Sequence, residues 1–257
     1  MAMLKWATIG YGVSAFGGAL ALLWWLESDH ILFFIWIAWV FFCALVWQVL
    51  ALLRVKRMRS VLLDDCDALA YVKRLARSGR FGFGKTARMF WMFERISAHS
   101  NAGDMDEMER MIMAVELPLK RAVNEASYAL YCAVLSMHKR DFEQAKRALD
   151  HLETFVMQKR MFKRERADFA NRLQFLRQRL LLMQGQSAEA EVYFSEMRER
   201  KSNRIVQVIA HASLAELYLL EGRMDEAERA HRFCLEHGGT TKFKRQAEAY
   251  FNAQSAR

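Results

Sequence analysis

Two long apolar runs near the N-terminus constrain this chain more than any other feature. The runs cover residues 6–26 and 31–53, and four residues, 27–30, separate them. About 20 apolar residues are enough to cross the hydrocarbon core of a bilayer as a helix. Because the link is so short, the second helix must return antiparallel to the first. The sequence therefore predicts a transmembrane helical hairpin over residues 1–56.

The charges that flank the two runs predict the orientation of this hairpin. Basic residues follow the second run over Arg54–Arg59, Lys5 precedes the first run, and the link carries acidic residues. Basic flanks stay on the cytoplasmic side of a membrane. We therefore expect a multi-pass membrane protein with both termini in the cytoplasm. A cleaved signal peptide is the alternative for the first run, but its end at Trp24–Leu26 is too bulky for a cleavage site.

The first run also carries small residues on one helical face, at Gly10, Ser14 and Gly18. Small residues let two helices approach closely in lipid. We expect this face to pack against the second helix of the same chain, with homo-oligomerisation or docking on another membrane protein as alternatives. Neither run contains an ionisable residue in its interior, which argues against an ion or proton pathway.

The residues after the hairpin are predicted to be wholly α-helical. Strong helix formers dominate this part, the chain contains 1 proline, and no sustained β-type alternation occurs. The net charge is +9, and much of it lies in clusters at Arg54–Arg59, Lys73–Arg88, Lys159–Arg166 and Arg198–Arg204. Anionic lipid suits the first two clusters, and an acidic protein partner suits the later two. No reading motif for nucleic acid accompanies the basic charge, so nucleic acid is not a predicted partner.

The C-terminal region contains a repeated helix-turn-helix pattern. Residues 211–234 place Leu214–Ala215 on one helix, Gly222 at a turn and Ala227 on the next helix. This segment resembles a tetratricopeptide (TPR) repeat, in which a large–small pair on the first helix packs against an alanine of the second. Weaker copies have turns at Gly103–Met105, Asp141–Phe142 and Gln184–Gln186. Their packed second-helix positions are Met108, Ala145 and Ala190.

The spacings between these packed positions are 37, 45 and 37 residues, longer than the 34 typical of the family. The third copy departs further, because Arg177 and Gln178 replace its large–small pair. The resemblance implies a TPR-like α-solenoid over residues 101–257, with a capping helix at Thr241–Gln254. Residues 57–100 are expected to form juxtamembrane helices and a glycine-rich connection. An irregular helical bundle is the alternative.

The resemblance also implies a protein-binding face, formed by the first helix of each repeat. Carrying over the family register places nine residues there: Leu130, Val134, His138, Arg172, Phe175, Arg179, Ile209, Glu216 and Leu220. Arg172 and Arg179 would make the middle of this face basic, and arginine pairs well with carboxylates. We therefore expect a protein partner with an acidic segment.

Two motifs suggest chemistry, and both have a simpler explanation. Gly79–Thr86 fits the phosphate-loop pattern, but that loop needs a preceding strand, and the residues before it read as a helix. His231, Cys234 and His237 share a helix near His211, but His231 and Cys234 fall at packing positions. We predict no enzyme activity, cofactor or metal.

In layout the chain resembles bacterial inner-membrane proteins with two N-terminal helices and a TPR domain, and this resemblance implies a bacterial inner membrane. Together these observations predict a membrane-anchored adaptor that binds a partner protein at the cytoplasmic face. An accessory subunit of a membrane complex, assembled through the hairpin, is the main alternative. A nucleotide-linked protein using Gly79–Thr86 is a further one.

Overall fold

The computed structural model of the chain describes residues 30–78, 85–117, 119, 121–157, 161–200 and 202–255. These ranges contain helices and no strand, which confirms the predicted all-α class. The helices are α1 (His30–Leu63), α2 (Ala68–Ser78), α3 (Lys85–Ala102), α4 (Met105–Met113), α5 (Ala122–His138), α6 (Phe142–Met157), α7 (Lys163–Met183), α8 (Ser187–Glu199), α9 (Arg204–Leu220), α10 (Met224–His237) and α11 (Lys242–Ser255). The chain forms two compact units, residues 1–57 and 58–257.

The first unit contains most of the candidate membrane helix. Within the described ranges one helix, over Ile35–Leu63, is long and apolar enough to cross a bilayer, with a mean hydropathy of 2.2 and no buried residues in its apolar window. The other predicted span, residues 6–26 with Gly10, Ser14 and Gly18, lies outside the described residues. One candidate span does not make a hairpin, so the two-helix anchor and the multi-pass topology remain predictions.

The second unit contains four helix pairs, α3–α4, α5–α6, α7–α8 and α9–α10, which are joined by one type of turn. In each turn a residue with positive φ ends the first helix: Gly103 (73°), Arg140 (58°), Gly185 (81°) and Gly222 (73°). The next residue donates its N–H to a carbonyl five residues earlier, as in Asp104 to His99 at 3.0 Å and Arg223 to Tyr218 at 2.8 Å. This is the Schellman motif, which satisfies carbonyls that the helix end leaves free.

A fully buried residue follows each of these turns at the same distance. Met108, Ala145, Ala190 and Ala227 each come five residues after the positive-φ position, and all have 0% exposure. Alanine at three of these crossings lets the paired helices pack closely, and Met108 is the one large side chain among the four. Twelve residues before each of them, the first helix contributes Ile96, Ala133, Gln178 or Ala215. Gln178 is the exception to apolar packing, and its buried Oε1 has no hydrogen-bond partner among the described residues.

Two apolar clusters form much of the core of the second unit. One extends from Phe93 on α3 to Leu180 on α7, and the other joins α7 to α10 around Phe194 and Leu214. Phe175 packs against both clusters and holds them together from α7.

The two ends of the second unit contact each other. Thr240, after α10, donates its N–H to the Cys66 carbonyl at 3.1 Å and its Oγ1 hydroxyl to Asp67 Oδ1 at 2.8 Å. Its Oγ1 also accepts the Leu69 N–H at 3.0 Å. In a solenoid each repeat contacts only its neighbours. These bonds instead join residues more than 170 positions apart. We call this contact between residues 66–69 and 239–241 the clasp.

The clasp lies at the break between α1 and α2. Residues 64–67 separate α1 from α2, and Cys66 has a φ of 53°, so the chain turns here. Gly239 packs against the same turn: a Cβ on it would lie 2.8 Å from the Cys66 carbonyl carbon and 2.9 Å from the Asp65 carbonyl oxygen. Glycine is required at this position because any side chain would collide with backbone.

Candidate interaction surface

The first helices of two consecutive pairs, α3–α5 and α7–α9, contact each other through equivalent positions. A side-chain hydrogen bond joins Ser97 on α3 to Tyr131 on α5. Arg179 on α7 donates to Ser213 on α9 at 3.3 Å. Ser97 and Arg179 each follow the packed position of their helix by one residue, and Tyr131 and Ser213 each precede it by two. The pairs α3–α5 and α7–α9 therefore associate in the same register.

The two predicted arginines of the binding face already contact acidic or polar groups of the chain. Arg179 forms an ion pair with Glu216 on the next first helix at 2.8 Å. Arg172 pairs with Asp168 of its own helix at 3.0 Å and hydrogen-bonds the Tyr131 side chain. A ligand carboxylate would have to replace these internal partners, so the face is less basic than the sequence suggests.

The predicted apolar residues of this face differ in how they are placed. Leu130 is 5% exposed and belongs to the core, and Val134 packs against the same cluster. The Phe175 ring lies 6.0 Å from the Phe194 ring, between the two clusters. These residues support the array from within. Three other predicted residues are accessible to a partner: Leu220 is 63% exposed, His138 is exposed and Ile209 is partly exposed.

The start of α11 lies within electrostatic reach of this face. Desolvation lowers the pKa of Lys242 to about 8, and the charge of Arg179 contributes to the shift. Arg245, one turn further, donates to the Ala102 carbonyl at the end of α3. The predicted capping helix therefore contacts earlier parts of the array as well as α10.

A polar cluster at the start of the second unit was missed by sequence reasoning. Glu94 on α3 accepts hydrogen bonds from the Arg59 guanidinium and from the Tyr71 hydroxyl. The bond to Glu94 raises the pKa of Arg59, and burial, followed by the Glu94 charge, raises the pKa of Tyr71. The cluster ties the end of α1 to α2 and α3. No sequence signal marks it, because its members are far apart along the chain and each suits an ordinary helix surface.

The four residues of the potential metal set do not converge. His231 stacks on Tyr250 with ring centroids 4.2 Å apart, and the Cys234 thiol donates to the Val208 carbonyl at 3.5 Å. The Phe233 ring stacks on His211 at 3.9 Å and meets His237 edge-on at 4.5 Å between ring centroids. Within the described ranges no group of three or more potential ligands could hold a metal ion. These side chains pack α9, α10 and α11 together.

The phosphate-loop pattern lies mostly outside the described residues, which resume at residue 85. The residues that precede it form the helix α2, whereas a phosphate-binding loop follows a buried strand. The structure therefore supplies no strand in the place that nucleotide binding would need.

In comparisons with known proteins, no protein-family model, no curated protein and no solved structure matches this chain.

Proposed function

We propose that this protein is a membrane-anchored adaptor whose TPR-like helix pairs bind a partner protein at the cytoplasmic face. The observation that carries the proposal is the fourfold recurrence of one turn with one buried residue five positions later. Stacked units of this kind present a continuous surface, because each unit leaves an apolar face that its neighbour covers. Such surfaces serve protein binding in the family that the sequence resembles.

The candidate span on α1 supports the membrane anchor. Its apolar side chains are exposed, including Trp39, Phe41 and Phe42 at 56%, 72% and 55%. A helix that is apolar on all sides and not buried in protein is stable when lipid surrounds it. Anchoring raises the effective concentration of the array at the membrane without any new contact to the partner.

Arg172 is the residue through which an acidic segment would bind. Its pair with Asp168 is solvent-exposed, with side-chain exposures of 48% and 59%, and it links positions i and i+4 of one helix. Pairs of this kind contribute only about 0.3–0.5 kcal/mol, so a ligand carboxylate can replace Asp168 at little cost. Arg179 is less exposed and holds α9 through two contacts, so it serves the array itself.

The experiment is a crosslinking pull-down from native membranes with Arg172→Gln as the test variant. Glutamine removes the charge but keeps hydrogen-bond donors for Tyr131. Arg147→Gln is the matched control, since Arg147 is an exposed arginine on α6, a second helix. We expect the control to keep the crosslinked partner and Arg172→Gln to lose it, with both variants remaining in the membrane fraction. Equal recovery of the crosslinked partner with both variants would show that Arg172 does not take part in binding. A chain found soluble without detergent would overturn the adaptor proposal.

A further inference from the structure

The helix pairs of the second unit give it two edges with opposite chemistry. Each pair reverses the chain at its Schellman turn, so successive helices alternate in direction. The four turns lie on one edge, which we call the turn edge. The ends of α4 and α6 and the starts of α5, α7 and α9 lie on the other, which we call the connection edge.

The helices that start at the turn edge have acidic first turns. These acidic residues are Asp106 and Glu107 on α4, Glu143 on α6, Glu189 on α8, and Asp225 and Glu226 on α10. Negative charge at a helix N-terminus is stabilised by the helix dipole and by the free N–H groups there. Helix stability therefore accounts for the acidic residues at the turn edge.

The helices that start at the connection edge begin with basic residues instead. Arg121 precedes α5, Lys163 and Arg164 open α7, and Arg204 opens α9. A cation at this end of a helix opposes the dipole, and only α5 and α7 carry an acid, Glu125 or Glu165, within their first turn. Among the described residues none forms an ion pair with Lys163 or Arg164. Local stability does not account for these positive charges.

The same edge exposes large apolar side chains. Met113 is the last residue of α4 and is 74% exposed, and Leu117 follows that helix and is 60% exposed. Met157, the last residue of α6, is 73% exposed. Phe162, at the N-cap of α7, is 76% exposed. A phenyl ring cannot accept the hydrogen bond that an N-cap side chain normally provides, and Ser, Thr, Asp or Asn is preferred there. Phe162 is therefore an unfavourable N-cap, and it lies next to Lys163 and Arg164, whose charges are unfavourable at the same helix N-terminus.

We infer that the connection edge binds the surface of an anionic lipid bilayer. Exposed Phe, Leu and Met beside Lys and Arg is the composition of segments that lie in the membrane interface. The apolar side chains enter the boundary between head groups and acyl chains, and the basic side chains contact anionic head groups. An acidic protein surface would pair with the charges but would leave Phe162 and Met157 without an apolar environment. The inference relies on the proposed function only for a location at a membrane.

Hydroxyl-radical footprinting of the full-length protein in lipid nanodiscs tests this inference. Methionine and phenylalanine side chains react readily with the radical, so their oxidation reports exposure without any engineered label. Nanodiscs of phosphatidylcholine alone are compared with nanodiscs of phosphatidylcholine and phosphatidylglycerol mixed two to one. We expect oxidation of Met157 and Phe162 to fall with the anionic lipid, because each basic contact strengthens lipid binding roughly fivefold. Met224, 49% exposed on the turn edge, is the internal control and should be unchanged.

Neutralising the two free basic residues should reverse the effect. Lys163→Gln with Arg164→Gln removes two contacts worth roughly fivefold each, so lipid binding of the edge should weaken about 30-fold. The matched control is Lys146→Gln with Arg147→Gln, because these two exposed neighbours have the same charge but lie on α6. Met157 oxidation should rise towards its phosphatidylcholine level in the first double variant and stay low in the second.

The outcomes separate this inference from the proposed function. Equal Met157 oxidation in both nanodiscs would overturn lipid binding, while low oxidation of Trp39, Phe41 and Phe42 in the same samples would still support the anchor. Protection of Met157 and Phe162 only in native membranes, and not in anionic nanodiscs, would overturn the inference and assign the edge to a protein. High oxidation of Trp39, Phe41 and Phe42 in both nanodiscs would instead remove the anchor.

Discussion

Arg140 occupies the only non-glycine position among the four Schellman turns, and replacing it with glycine should stabilise the protein. Its φ of 58° is left-handed, as are those of Gly103, Gly185 and Gly222. A side chain in this conformation costs roughly 1–2 kcal/mol, because Cβ approaches the following carbonyl oxygen. Glycine removes that strain but gives the unfolded chain more freedom, which offsets about 0.4–1 kcal/mol of the gain. We therefore expect Arg140→Gly to raise the free energy of unfolding by about 1 kcal/mol.

The reverse substitution at a matched turn provides the control. A Cβ on Gly222 would meet no atom within 4 Å, so Gly222→Ala adds backbone strain without a steric clash. We expect it to lower the free energy of unfolding by about 1 kcal/mol. Gly103→Ala should cost more, because its Cβ would also lie 2.8 Å from Lys242 Cβ. The three variants should therefore rank in the order Arg140→Gly, Gly222→Ala and Gly103→Ala, from stabilising to most destabilising.

Thermal unfolding followed by far-ultraviolet circular dichroism in a mild detergent measures these shifts. For a domain of this size, 1 kcal/mol corresponds to about 2–4 °C in the unfolding midpoint. Urea titration gives an independent value, provided that the slope of the transition stays constant. The reasoning would be refuted if Arg140→Gly left the midpoint unchanged or lowered it while Gly222→Ala behaved as expected. In that case the Arg140 side chain would have to contribute a compensating contact.

Three further predictions concern the clasp, the start of α7 and a buried histidine. Gly239→Ala should lower the free energy of unfolding by about 2–3 kcal/mol in urea titration, because its Cβ meets the Cys66 backbone. A smaller loss than that of Gly222→Ala would show that the backbone of the clasp shifts to accommodate the Cβ. Phe162→Ser should raise the free energy of unfolding by about 1 kcal/mol, because serine supplies the missing N-cap hydrogen bond. A lower unfolding midpoint would mean that the Phe162 ring packs on protein in detergent. Burial, with the charges of Arg198 and His237, lowers the pKa of His211 from 6.5 to about 4. The unfolded chain therefore takes up this proton first, so the stability present above about pH 6.5 is lost towards pH 4. His211→Phe should show a smaller drop in melting temperature over that range, and an unchanged drop would exclude His211 as the cause.

The helical class and the positions of the helix pairs could be predicted because their signals are local. Gly222 followed by Ala227, and Gly103 followed by Asp104, mark a turn and a helix start within a few residues. The turn at Arg140 lacks glycine, yet the adjacent Asp141 caps α6 by accepting the Gln144 N–H at 2.9 Å, so the sequence still indicated it. These features depend on backbone conformation and on hydrogen bonds between near neighbours, which a single sequence can reveal.

The candidate site could be predicted only in part, for the opposite reason. Helical periodicity places Leu130, Arg179 and Glu216 on a face, but it does not say which neighbour that face meets. The Arg179–Glu216 pair and the burial of Leu130 depend on how far each helix rotates against the next. These internal contacts make the middle of the predicted face less basic than the sequence suggests.

From the sequence alone came the apolar span, the helical class and the turns, because each depends on residues close together in the chain. The tertiary structure alone decided that Glu94 joins Arg59 to Tyr71 and that Thr240 closes the array onto Cys66. Such contacts select partners across 23 to more than 170 residues, where only packing determines which groups meet.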